Sequence, residues 1–242
     1  MKQSTSDSGI QINKYISNSG FCSRREADQL IADARVTIND DIALPTSRVQ
    51  SGDRVAIDGE KIKSQRDRIY IALHKPIGVT STTDPSDRTN IIRFMNHPKR
   101  IFPVGRLDKD SEGLILLTND GDIVNKILRA GNNNEKEYIV TVDKELTPEM
   151  IRGMSSGVRI LGERTKPCFV RQEGQRRFRI ILKQGLNRQI RRMCESFGYK
   201  VKTLKRIRIM HIHLGNLAVG KWRYLTPTEM QQLEKALENA AG

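Results

Sequence analysis

Between two glycines, the segment Gly105-Arg106-Leu107-Asp108-Lys109-Asp110-Ser111-Glu112-Gly113 sets three carboxylates among two cations and leads straight into the apolar run Leu114-Ile115-Leu116-Leu117. A tight polar turn at the mouth of a buried strand can hold a reacting side chain rigidly, so an acid here is a candidate nucleophile or proton acceptor. The competing reading is a set of solvated ion pairs of little energetic worth. Residue chemistry alone does not choose among Asp108, Asp110 and Glu112. Other chemistries are poorly supplied. The chain has no P-loop and no GxGxxG after a strand. His211 and His213 would share one face of a strand, but no third ligand has suitable spacing, so ordinary sheet histidines and no metal are expected. Cys22, Cys168 and Cys194 are too scattered for a disulfide framework or a CxxC clamp and fit a reducing cytoplasm. Cys22 and Cys194 read as small buried residues on helices.

The charge names a partner class. In 242 residues, 42 Lys and Arg against 28 Asp and Glu give a net charge of +14. It is unevenly placed: residues 1–60 are net −2, whereas 171–208 alone hold 13 basic and 2 acidic groups. Such a concentration favours a phosphate-binding surface over a merely solvated face, and nucleic acid is the commonest polyanion. With 37% hydrophobic and 29% charged residues the composition is that of a folded, soluble chain. No apolar run approaches the roughly 18 residues of a membrane span, and Met1–Thr5 lacks the apolar core of a secretory signal.

The elements that would position these groups fall into two parts. Residues 1–9 read as a disordered lead. Ile12–Ile16 is an amphipathic turn ending near Gly20, Ser23 and Glu26 have capping-box spacing for a helix through Ala27, Leu30 and Ile31, and Val36–Ile38 and Arg54–Ile57 read as strands with turns at Asn39-Asp40 and Ser51–Asp53. This gives a small front domain over 10–58, two helices followed by short strands. Residues 59–67 are polar and read as a linker, and 68–238 as the larger domain. There, Ile69, Ile71 and Leu73 alternate until Lys75-Pro76 and Gly78 break the strand. Leu114–Leu117, Tyr138–Val142 and Phe178–Leu182 are strands, Ile123–Leu128 is a helix stopped by Gly131, and Thr226-Pro227 with Glu229 caps a final helix. The expected fold is α+β with a mostly antiparallel mixed sheet. Around 187–197, Ile190, Met193, Cys194 and Phe197 fall on one helical face and Arg188, Arg191 and Arg192 on the other. Arg191 lies at the border, where it would be partly buried and paired.

Four separated motifs, in order, carry a resemblance. Gly105-Arg106-Leu107-Asp108 followed by Ser111-x-Gly113-Leu114 resembles the catalytic motif of RNA pseudouridine synthases. Lys75-Pro76-x-Gly78 resembles that family's first motif and Lys136-x-Tyr138 its second. Gly185-x-Asn187-Arg188-Gln189-Ile190-Arg191-Arg192-Met193 resembles its third, in the form used by the small-subunit synthase A branch. Asn13–Ile16, Gly20, Ser23–Ala27, Val36–Asn39 and Gly52-Asp53 resemble an S4-type RNA-binding domain. The resemblance covers roughly residues 10–235.

It implies isomerisation of uridine to pseudouridine in ribosomal RNA, of the large subunit (23S rRNA), with small-subunit rRNA or tRNA as the alternative substrates. No cofactor and no metal are implied, and the enzyme is a cytoplasmic monomer with no membrane. The target base must leave its helix, at a cost of a few kcal/mol. Asp108 is the implied catalytic carboxylate, as nucleophile or as the base that takes a sugar proton. Tyr138 would stack on the flipped base, Arg191 would partner Asp108, Arg106 would fill the vacated space or bind a phosphate, and Leu204 would pack against the pocket. Arg188, Arg192, Lys14, Arg24 and Arg25 are the implied RNA contacts. Two departures stand out. The front domain of the family carries glycine before and after the Val-x-Ile strand, where this chain has Ala34-Arg35 and Asp40, and Asp40 and Asp41 add negative charge that would weaken RNA binding there. The long basic tail of some relatives does not follow, so no anchoring from it is expected. Two rival functions remain: a non-catalytic ribosome-assembly factor on the same fold, and a nucleobase hydrolase using Asp108 with Asp110.

Overall fold

The computed structural model describes residues 9–63, 67–128 and 134–238; the expected disordered lead up to Ser8 and the helix stop at Gly131 lie outside the described residues. The chain divides into two compact units, Met1–Arg68 and Ile69–Gly242.

The front unit runs β1 (Ile10–Gln11), α1 (Ile12–Asn18), α2 (Arg24–Ala32), β2 (Val36–Ile38), β3 (Asp41–Ile42), β4 (Arg48–Val49), β5 (Val55–Ile57) and β6 (Glu60–Lys61). Helix α2 opens on a full capping box: Ser23 Oγ accepts from the Glu26 amide, and Glu26 Oε2 accepts from the Ser23 amide at 2.7 Å. It closes with two backward bonds, Ala34 N–H to Ile31 O and Arg35 N–H to Leu30 O, around Ala34 at φ 55°. Asn39 and Asp40 (φ 52° and 76°) turn β2 into β3, as a two-residue hairpin requires. Ala34 and Asp40 thus keep the left-handed backbone that the missing glycines would have relaxed. Ile12, Ile16, Ala27, Ile31, Val36, Val55 and Ile57 form the core.

Three expectations are corrected here. Residues 59–67 are not all linker: Asp58-Gly59 (φ 51° and 82°) makes a second hairpin turn, Glu60–Lys61 pairs with β5, and Ile62 is buried in the core. The helices do not come first, because β1 precedes them and pairs with β4. Cys22 is half-buried just ahead of the α2 cap and not on a helix.

The second unit runs β7 (Tyr70–Lys75), α3 (Ile91–Met95), β8 (Phe102–Val104), β9 (Glu112–Thr118), α4 (Gly121–Leu128), β10 (Lys136–Val142), α5 (Pro148–Ser156), β11 (Arg159–Ile160), β12 (Glu163–Arg164), β13 (Phe169–Gly174), β14 (Arg177–Leu182), α6 (Gln189–Ser196), β15 (Val201–Ile209), β16 (Ile212–His213), β17 (Trp222–Tyr224) and α7 (Pro227–Glu238). Among the described residues, a nine-stranded sheet has the order β13-β14-β10-β15-β9-β7-β17, with β16 on β15 and β8 on β9. Only β15–β9 is parallel. The architecture is α+β, as the residue pattern implies. Strands β7 and β9 are buried on both faces, which explains their continuous apolar runs: Ile71, Leu73, Ile115 and Leu117 pack on α3, while Ala72, Leu114 and Leu116 pack with α4 and α7. Farther along the sheet, α5 and α6 cover β10 and β14 through Met150, Met154, Ile190, Met193 and Cys194. His211 sits in the turn after β15 and bonds Glu229 O, while His213 is exposed on β16, so the two do not share a strand face.

Candidate active site

Gly113 sets the geometry. It begins the buried part of β9, opposite Lys75 of β7 and Arg206 of β15. A Cβ on it would lie 2.3 Å from Arg206 O, and its φ is +117°, so only glycine lets the parallel strands close behind the catalytic-motif loop. Ahead of it, Ser111 N–H bonds Asp108 O at 3.0 Å. Ser81 clamps the other side: its Oγ donates to Leu107 O at 2.8 Å and accepts from Leu107 N at 3.1 Å. The turn also takes a bond from Gly78 N to Lys109 O. Lys75 is fully buried and donates Nζ to Pro76 O and Val79 O, which shapes the loop bearing Gly78. Burial, then the charge of Arg206, pushes the Lys75 ammonium down to about 8, against the pull of Asp108, Asp110 and Glu112.

The three acids separate by surroundings. Asp110 takes both Nη atoms of Arg188, at 3.2 and 3.3 Å. Burial works against its charge, but the Arg188 hydrogen bond and the charges of Arg191 and Arg188 outweigh it and hold the carboxyl below the ordinary range. Glu112 turns to Lys205 Nζ at 3.3 Å and His74 Nε2 at 3.8 Å. Asp108 has looser neighbours, Arg188 Nη1 at 3.6 Å and Arg191 Nε at 3.8 Å, and of the three it alone lines a cavity of about 910 Å³. That volume is within the usual range for a small-molecule site.

Around the same cavity stand Arg106, Tyr138, Arg188, Arg191 and Leu204. Arg191 is buried, as the helix-border argument expects, and its Nη2 donates to Asp110 O and Ser111 Oγ, both at 3.0 Å. Its Nε is buried without a hydrogen-bond partner, facing Asp108. Tyr138 and Leu204 both belong to the core cluster and both border the cavity. Arg188 corrects the helical reading: it precedes α6 at φ 50° as its cap and reaches back to the acids. Arg192 bonds Asn187 O and Oδ1 and lies off the cavity wall. Lys14 is half-buried on α1, and Arg24 and Arg25 are exposed on the first turn of α2. The basic segment is partly neutralised by its own sheet, since Arg179 and Arg208 both pair with Glu137. Ser81 is a lone serine that no motif marks, and the roles of Lys75 and Arg206 depend on strand register. No group of three metal-ligating side chains occurs among the described residues, and burial raises the Cys168 and Cys194 thiols to about 11 and about 12.

A family model described as RNA pseudouridylate synthase matches residues 69–196, and an S4 domain model matches 12–55. The chain is 56% identical over 237 residues to the dual-specificity RNA pseudouridine synthase RluF of Escherichia coli K12, covering 97% of this chain and 82% of that one. It is 33% identical to the ribosomal large subunit pseudouridine synthase B of Bacillus subtilis, over 92% of this chain and 95% of the relative. A crystal structure of a pseudouridylate synthase, 27% identical, superposes with a TM-score of 0.69 over 93% of this chain and 99% of that one.

Proposed function

Because this chain belongs to the RNA pseudouridylate synthase family and forms pseudouridine in RNA, we propose that its target is a uridine of large-subunit (23S) ribosomal RNA and that Asp108 carries the reaction. The observation that supports Asp108 is the separation of the acids: Asp110 is taken by Arg188 and Glu112 by Lys205, leaving Asp108 on the cavity wall.

In this reading the target nucleotide is flipped into the cavity, Tyr138 stacks on its base, and Leu204 packs beneath it. Asp108 attacks the sugar or takes its proton. Arg191, itself fixed on the Ser111 turn, offsets the Asp108 charge beside the RNA phosphates. Arg106 fills the space the base left or binds its phosphate. Arg188, Arg192, Lys14, Arg24 and Arg25 contact RNA along the two units. The enzyme acts in the cytoplasm as a monomer. No helix among the described residues is long and apolar enough to cross a membrane. A second RNA, such as a tRNA, is favoured by one observation, the dual-specificity name of a relative 56% identical. The test is a map of pseudouridines in rRNA and tRNA from cells with and without the gene. One position lost from 23S rRNA supports the target; loss confined to tRNA or small-subunit rRNA refutes it.

A further inference from the structure

Arg206 is a buried cation that the reading above leaves unused. Only 3% of its surface is exposed. Nε donates to Leu114 O at 2.6 Å and Nη1 to Arg106 O at 3.3 Å, both backbone carbonyls, and no carboxylate of the described residues pairs with it. Its third nitrogen, Nη2, is buried with no hydrogen-bond partner. An unmade hydrogen bond on a buried charge is costly, and that cost is offset where a ligand supplies the missing acceptor.

The register says which ligand group. Arg206 sits across from Tyr138 in the β10–β15 ladder and across from Gly113 in the β9–β15 pair. It therefore stands between the strand that carries the stacking ring and the strand that leaves the Asp108 loop, and it borders the same cavity as both. Lys136 borders it too. Its ammonium is pushed down first by burial and then by the charge of Arg206, so two cations stand close together on this part of the wall. Phosphates have exposed arginines to meet, such as Arg106 and Arg188. A donor held out of water suits a charge that develops only during reaction.

The reaction makes such a charge. When the N1–C1′ bond breaks, the electron pair stays on the base, which becomes a uracil anion with charge shared among N1, O2 and O4. The base then turns, C5 bonds C1′, the C5 proton leaves and N1 regains a proton, so atoms and charge balance. We propose that Arg206 is a further catalytic residue, donating through Nη2 to the departing uracil anion and holding the base between cleavage and reattachment. This rests on the reading of Asp108 as the acid that acts on the sugar.

The test compares wild type, Arg206→Gln and Arg206→Lys in single-turnover loss of the target nucleoside. Two RNAs are used, one with uridine and one with 5-fluorouridine, whose base leaves more readily because fluorine withdraws electrons. Melting and RNA affinity are followed alongside. Arg206→Gln is expected to cleave the uridine substrate about 10²–10³-fold more slowly, with a clearly smaller deficit on 5-fluorouridine, and Arg206→Lys, which keeps the charge, to fall between. A role in folding alone slows both substrates by the same factor, and equal deficits overturn the proposal. If Arg206→Gln does not fold, Arg206→Lys decides by the same comparison. Full turnover by Asp108→Asn in the same assay would instead sink the reading on which the proposal rests.

Discussion

Replacing Gly113 by alanine adds one methyl group at the point where β9 and β15 meet. The new Cβ would lie 2.3 Å from Arg206 O and 2.5 Å from Arg206 N, on a backbone at φ +117°. The obstacle is backbone on a central strand, so no flexible side chain can swing away. The left-handed backbone costs about 1–3 kcal/mol, and wedging the pair apart by roughly an ångström adds about 1–3 kcal/mol of overpacking. The sum is about 2–6 kcal/mol. Gly78→Ala isolates the first part: φ there is +89°, and nothing lies within 4 Å of its Cβ. Urea unfolding of both variants should therefore show Gly113→Ala destabilised beyond Gly78→Ala by about 1–3 kcal/mol. Because the wedge sits directly behind the Asp108 turn, single turnover by the folded fraction of Gly113→Ala should also fall about 10²-fold. Equal stability of the two variants, with wild-type turnover by Gly113→Ala, would refute the claim that this close approach positions the acid.

Ala34→Gly relieves an alanine held at φ 55° at the end of α2 and should raise the stability of the front unit by about 0.5–1 kcal/mol, read by denaturant unfolding; a loss of stability would count against the left-handed cap. Lys75 holds its proton less tightly folded, at about 8 against 10.5. The unfolded chain therefore binds more protons between those values, and the wild type should gain on Lys75→Met by up to roughly 3 kcal/mol as pH rises from 8 to 10.5; unfolding curves at the two ends of that window check it, and a difference that does not change with pH contradicts it. In RNA binding, Arg192→Gln should reduce the log–log salt slope by about 0.7–0.9, and Arg188→Gln by less, because Asp110 already holds that guanidinium; the reverse order would mean that Arg188 leaves Asp110 on binding RNA.

Local chemistry made much of this legible in advance. The α2 capping box, the Asn39-Asp40 turn, the buried Leu114–Leu117 strand and the burial of Arg191 all follow from side-chain spacing within a few residues. What failed was also local in origin: the polar run after Asp58 hid an edge strand, because an edge strand exposes one face and needs few apolar residues, although Asp58-Gly59 is itself a hairpin signal. The choice among the three acids was not readable, since it depends on Arg188 and Lys205 arriving from distant segments. The same holds for Ser81 on Leu107 and for Arg206 against Gly113, which register brings together across 26 and 93 positions.

Asp108 is tested most directly by one measurement: pseudouridine formed by purified Asp108→Asn and Asp110→Asn on large-subunit rRNA lacking the modification, with RNA affinity measured in parallel. Asp108→Asn should form none while binding RNA as the wild type does, because removing a negative charge does not weaken contacts to phosphates. Asp110→Asn, whose carboxylate pairs with Arg188 but does not itself line the cavity, should remain active. Substantial pseudouridine from Asp108→Asn, or its complete loss in Asp110→Asn alone, would contradict the assignment.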